Sequence, residues 1–221
     1  GEGGILITNN DQIAEKLYLI RNHGEAVVEE KGTKDITNII GHNFRLGEIE
    51  SAIGIEQFKK LDKLVESRKK AANFLNLGLS NLKGLKTPFV AKGISHAFYI
   101  YGMTLDIEII KVSRETIILA LEAEGLEGLI NGYQNIHLLP MYQKKIAYGR
   151  DGFPWSSEIC KRNISYKEGI CPVAENLHSK TFLGFQMCLH ELGGNELELI
   201  VSAFQKVWAN LNYLQEFEKK N

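Results

Sequence analysis

The chain has 221 residues, of which 44% are apolar and 24% charged, with a formal net charge of -1. That is room for one large domain or one and a half ordinary ones, with enough apolar material for a real core. Near-zero charge gives no global pull toward nucleic acid or an anionic membrane, and no apolar run approaches the roughly 18 to 20 residues that cross a bilayer.

The chain begins GEGGILITNN. Residues 5–8 (ILIT) predict a short strand, and Asn9, Asn10 and Asp11 supply turn and cap chemistry. A helix follows, with Ile13, Leu17 and Ile20 at helical spacing, basic Arg21 near its end and Gly24 as a stop. Residues 25–37 are polar and aperiodic, a loop long enough to be functional or mobile. From Gly47 a long amphipathic helix is expected. Ile49, Ile53, Leu61, Leu64 and Phe74 would mark its buried face, and Lys59, Lys60, Lys63, Lys69 and Lys70 its wet face. Glu56, Asp62 and Glu66 interrupt those lysines and no aromatic platform accompanies them, so a solvated face is favoured over a nucleic-acid patch.

Near Gly84 the pattern changes. Residues 85–90 and 97–105 read as strands. Ser113 caps a helix from Arg114 to Glu124 that Gly125 stops. Residues 131–150 and 152–171 are loop-rich, and a closing helix from Asn195 to about Glu218 buries Leu197, Ile200, Val201, Phe204 and Leu211. Cys160, Cys171 and Cys188 form no Cys-x-x-Cys pair and read as reduced cytoplasmic thiols, with no metal site expected. A lone strand at the front cannot pair its backbone or bury both faces. Residues 1–83 therefore read as the tail of a larger α/β domain with its connecting helix, and residues 84–221 as a small α+β domain.

Three stretches carry chemistry together. They are GEGG with the strand and helix closing on RNHG (residues 21–24), then GHNFRLGEIESAIG (41–54), then the pair IHLLPMY (136–142) and CPVAENL (171–177) before AFQKVW (203–208). In this order and spacing the chain resembles the DegT/DnrJ/EryC1/StrS sugar aminotransferases, pyridoxal-phosphate enzymes of fold type I acting on nucleotide-linked keto sugars. The resemblance implies the C-terminal portion of such an enzyme. It also implies a cytoplasmic homodimer with glutamate as the expected amino donor. In the family, GEGG follows a Ser-x-His-x-x-Lys segment whose lysine holds the cofactor; that lysine would lie before Gly1, leaving no catalytic residue in this chain.

The resemblance assigns Asn43 and nearby Arg45 to the cofactor phosphate of the neighbouring subunit. An amide donor and a guanidinium fork suit a phosphate dianion. Read without the family, Asn43 is a turn residue and Arg45 a surface ion-pair partner. His137 matches a substrate-facing histidine, with Tyr142 beside it able to stack or hydrogen-bond, and His23 matches a position near the site entrance. The 171–175 segment reads as structural. Trp155 in the GFPWS insert could stack on a sugar or base, or pack its own loop. Two alternatives remain at this level: a pyridoxamine-phosphate-dependent sugar dehydratase, in which histidine replaces the lysine, and a non-catalytic binding or dimerisation module.

Overall fold

The structure is a computed structural model that describes residues 2–24 and 39–220. The polar stretch 25–37 lies outside the described residues. The chain divides into two compact units, residues 1–63 and 64–221. The sequence places a boundary after residue 83; the division between compact units instead falls within the long helix.

In the first unit, Asn10 accepts a hydrogen bond from the Ile13 N–H and so caps α1 (Asp11–Arg21). The expected strand at residues 5–8 is not formed. Ile5, Leu6 and Ile7 are 85%, 76% and 91% exposed, and no described strand lies beside them to complete a ladder. The buried side chain of α1 is Leu19, not the Ile13–Leu17–Ile20 stripe. Leu17 and Ile20 instead border an open cleft with residues 4–8 and Phe44.

The long helix α2 (Glu48–Leu79) forms as expected, but its buried face does not. Ala71, Ala72, Leu75 and Leu79 are buried, whereas Ile49, Ile53, Leu61, Leu64 and Phe74 are exposed. The physical reason is that amphipathic spacing marks a face able to bury and does not supply its partner. Only the last third of α2 joins a core.

That core belongs to the second unit. Its sheet is four-stranded in the order β1 (Leu85–Lys86), β2 (Tyr101–Leu105), β4 (Phe182–Phe185), β3 (Leu129–Ile130), antiparallel throughout. Two expected strands shorten. Pro88 has no N–H to give a ladder, and Phe98 takes a left-handed φ of 46°, which breaks the extended run before Tyr101. The central strand β4 and its neighbour β3 are not expected from the sequence, because four residues containing Gly184 and two residues carry too little pattern. Gly184 is required there: a Cβ would lie 2.7 Å from Ile130 Cγ1 and 3.0 Å from Ile100 Cγ2.

Ser113 caps α4 (Arg114–Ala123) through the Thr116 N–H, after the single turn α3 (Ile107–Ile110), and Gly125 follows with φ 91°. The closing helix is interrupted at Asn210, giving α7 (Gly194–Ala209) and α8 (Leu211–Lys220). Leu75 and Leu79 of α2, Met103, Ile117, Leu121, Leu183 and Phe204 pack into one cluster. Each such side chain contributes about 1.5–3 kcal/mol by leaving water. Short helices α5 (Pro140–Lys144) and α6 (Pro172–Asn176) start on prolines at their first turn, where the missing N–H is harmless.

Candidate functional site

In the first unit, the two motifs RNHG and GHNFR form one object. Helix α1 ends at Asn22, and His23 (φ 63°) and Gly24 (φ 90°) turn the chain through left-handed backbone. The returning segment lies alongside it. His42 N–H donates to Ile20 O at 2.9 Å, His23 N–H to His42 O at 3.1 Å and Phe44 N–H to Arg21 O at 3.0 Å. Asn22 and Asn43 face each other in an antiparallel bridge. Gly41 permits this approach, since a Cβ there would sit 2.2 Å from Gly24 N and 2.5 Å from the His23 carbonyl carbon.

Asn22 does not stand out in the sequence, yet it is the buried polar centre of the clamp. Its Nδ2 donates to Tyr18 O at 3.1 Å, and its Oδ1 accepts from Arg45 Nη1 at 3.2 Å. Arg45 is thus held from behind at one nitrogen. Asn43 Oδ1 accepts from the Arg45 N–H at 3.4 Å, a local turn contact. The Asn43 amide donor and the rest of the Arg45 guanidinium meet no acceptor among the described residues. Residues two apart in extended chain share a side. Asn43 and Arg45 therefore offer exposed, adjacent donors, a set that fits a phosphate group. The His23 side chain is exposed on the same turn.

In the second unit, His137 and Tyr142 are brought together with residues that the sequence alone leaves structural or open. His137 lies in a 3₁₀ turn (Ile136–Leu138) and Tyr142 in α5. His137 Nε2 pairs with Glu175 Oε1 at 2.8 Å. Glu175 also accepts from Gly169 N–H at 2.7 Å and Cys171 N–H at 3.0 Å. Partial desolvation works to raise the Glu175 carboxyl, but the Cys171 and Gly169 N–H groups and His137 outweigh it and hold it below the ordinary carboxylate range. Gln143 joins the two segments, its Nε2 donating to His137 O and Tyr166 O.

Tyr142 packs edge-on against Trp155 (6.0 Å, 81°) and tilted against Tyr166 (5.3 Å, 51°), while Trp155 Nε1–H donates to Tyr166 Oη at 3.0 Å. Of the two roles open to Trp155, packing within its own loop is the one observed. The insert thereby buttresses Tyr142.

A further residue is invisible in the sequence because it sits at the start of an unremarkable helix. Arg114 is buried, and its guanidinium donates to His178 O at 2.7 Å and to Leu177 O, Ser179 O and Phe182 O at 3.4 Å. These carbonyls run from the first residue of the π-helical turn (Leu177–Thr181) to Phe182 just beyond it, so Arg114 ties down the segment that directly follows the helix carrying Glu175. Among the described residues no group of acidic, histidine or cysteine side chains suits a metal ion, the three cysteines are free, and no helix is long and apolar enough to cross a membrane.

The model of the DegT/DnrJ/EryC1/StrS aminotransferase family matches residues 1–178. The spore coat polysaccharide biosynthesis protein SpsC of Bacillus subtilis is 28% identical over 171 residues, covering 75% of this chain and 44% of SpsC. A GDP-perosamine synthase of Vibrio cholerae is 26% identical over 173 residues, covering 77% of this chain and 45% of that enzyme. The chain thus spans under half the length of these relatives. Among solved structures, a DegT DnrJ EryC1 StrS aminotransferase from Brucella abortus superposes with a TM-score of 0.65 at 24% identity, covering 90% of this chain and 44% of that one. That likeness establishes the fold, part of the α/β architecture of fold type I aminotransferases. By the family match across most of its length, the chain belongs to the DegT/DnrJ/EryC1/StrS aminotransferase family.

Proposed function

We propose that the protein carrying this chain is a pyridoxal-phosphate-dependent aminotransferase that moves an amino group from glutamate to a nucleotide-linked keto sugar, and that these residues are its C-terminal portion. The observation that carries this reading is the family match over residues 1–178. The relative named for GDP-perosamine synthesis supports a nucleotide sugar as the substrate class.

The cofactor, when bound, supplies the electron sink for amino transfer, and the lysine that anchors it would precede Gly1. The chain's own residues bind and orient. Asn43 Nδ2 and the Arg45 guanidinium donate to the phosphate of the cofactor in the neighbouring protomer of a homodimer, with Asn22 holding Arg45 in register. His137 and Tyr142 face the sugar nucleotide, and His23 stands at the entrance. Preorganisation of both clusters reduces the entropy lost when these groups engage a ligand.

The test is to incubate the parent protein with pyridoxal phosphate, glutamate and a panel of UDP-, GDP- and dTDP-linked keto sugars. Release of 2-oxoglutarate together with an amino sugar is the expected result. Loss of a sugar hydroxyl without amine gain would instead identify the dehydratase, and no conversion by a cofactor-loaded protein would refute the reading.

A further inference from the structure

His137 and Glu175 lie 38 residues apart in sequence and meet with side chains only 12% and 13% exposed. An ionised carboxylate can only accept hydrogen bonds. Two backbone N–H groups already pin this one, Gly169 on Oε2 and Cys171 on Oε1. The carboxylate therefore cannot turn to suit the ring, and the ring must turn to suit it. The main chain of His137 is fixed as well, because Gln143 Nε2 donates to its carbonyl at 2.7 Å. What remains is Nδ1. It pairs with no described residue, and among the described residues the one buried side-chain atom without a partner is His178 Nδ1. Nδ1 of His137 therefore reaches solvent.

We infer that Glu175 is a positioning residue, which keeps the His137 proton on Nε2 and presents the Nδ1 lone pair as the acceptor for a hydroxyl of the sugar nucleotide. This rests on the proposed function, in which His137 faces the substrate. The hydrogen bond made by one imidazole nitrogen sets the tautomer, so a partner that only accepts places the proton on Nε2 and leaves Nδ1 to accept. A carboxylate behind an imidazole also strengthens the other nitrogen as a base. A hydroxyl is favoured over a phosphate oxygen because the Nδ1 lone pair needs a donor, which a hydroxyl brings and an ionised phosphate oxygen does not. A site built around such a hydroxyl discriminates strongly against the deoxy analogue, since the fixed acceptor is then left without its donor.

Two measurements test this, one free of any assumption about function. In the ¹⁵N-labelled chain at about pH 8.5, above the ordinary imidazole range, long-range ¹H–¹⁵N spectra report which nitrogen of His137 carries the proton. His137→Gln assigns the signal. The expected result is a single tautomer with Nε2 protonated, giving way to a tautomer mixture in Glu175→Gln while the rest of the spectrum is preserved. A proton on Nδ1 in the unaltered chain, or a tautomer indifferent to Glu175→Gln, would overturn the positioning role. The second measurement uses the parent holoenzyme and whichever nucleotide keto sugar it converts. Glu175→Gln is expected to raise KM about tenfold with kcat within about twofold, the signature of lost uniform binding. An unchanged KM beside a tautomer that does respond would overturn the hydroxyl assignment. A parent that converts no nucleotide keto sugar overturns the function reading and the hydroxyl with it, while the tautomer result stands or falls on its own.

Discussion

Replacing Tyr101 with phenylalanine isolates one buried hydrogen bond. Tyr101 opens β2 opposite Phe185, is 0% exposed, and donates its hydroxyl to Asn76 Oδ1 of α2 at 2.6 Å. Tyr101→Phe keeps the ring, so no cavity term arises, but it leaves the Asn76 oxygen unpaired in a half-buried position. The expected loss is about 1 to 1.5 kcal/mol at pH 8. Burial also pushes the Tyr101 phenol above its ordinary value. The folded phenol therefore stays neutral where the unfolded one, at about 10, has begun to ionise. A raised acid of this kind leaves stability level below about pH 10 and removes it above, at about 1.4 kcal/mol per pH unit. Phenylalanine has no such loss, so the gap between the two proteins should close by about pH 11. Urea unfolding followed by the fluorescence of Trp208, which packs on Phe204 in the same core, measures both points. Equal stability at pH 8, or a gap that persists unchanged at pH 11, would refute the reasoning.

Arg114→Met removes donors from four carbonyls and is expected to cost about 3 kcal/mol, read as a lower urea midpoint at constant slope. Gly41→Ala pushes a methyl group into the backbone of residues 23–24. Hydrogen exchange at the His42 and Gly24 amides should accelerate by about tenfold to a hundredfold, following an overpacking cost of about 1–3 kcal/mol, with the second unit unaffected. Asn43→Ala in the parent holoenzyme should weaken cofactor retention by about tenfold or more, the worth of a hydrogen bond to a charged acceptor. Unchanged retention would leave Asn43 with only its turn contact.

The elements legible in the sequence are those whose cause is local. Asn10 and Ser113 cap their helices through their own side chains, and Gly24 and Gly125 follow with the positive φ that suits glycine. RNHG and GHNFR, two of the motifs that carry the family resemblance, meet backbone to backbone in the fold. Of the candidate site, Asn43, Arg45, His137 and Tyr142 stand out through the family resemblance, since residue type alone leaves Asn43 a turn residue and Arg45 a surface ion-pair partner. Their supports do not. Asn22, Gln143, Glu175 and Arg114 act through partners up to 68 residues away, and nothing in their immediate sequence announces that.

By itself, then, the sequence determined the capped helices and their turns, because these are settled within a few residues, and its motifs carried the family resemblance that the match over residues 1–178 bears out. Only the tertiary structure decided which apolar face is buried and which strand is central. The stripe along α2 has the same period whether or not anything covers it, and the structure buries only its Ala71–Leu79 end. The four residues of β4 become the middle of the sheet solely because β2 and β3 pair with them on either side. Long-range pairing also turned the 171–175 segment from a scaffold into the holder of His137, through a carboxylate whose partners come from three separate positions along the chain.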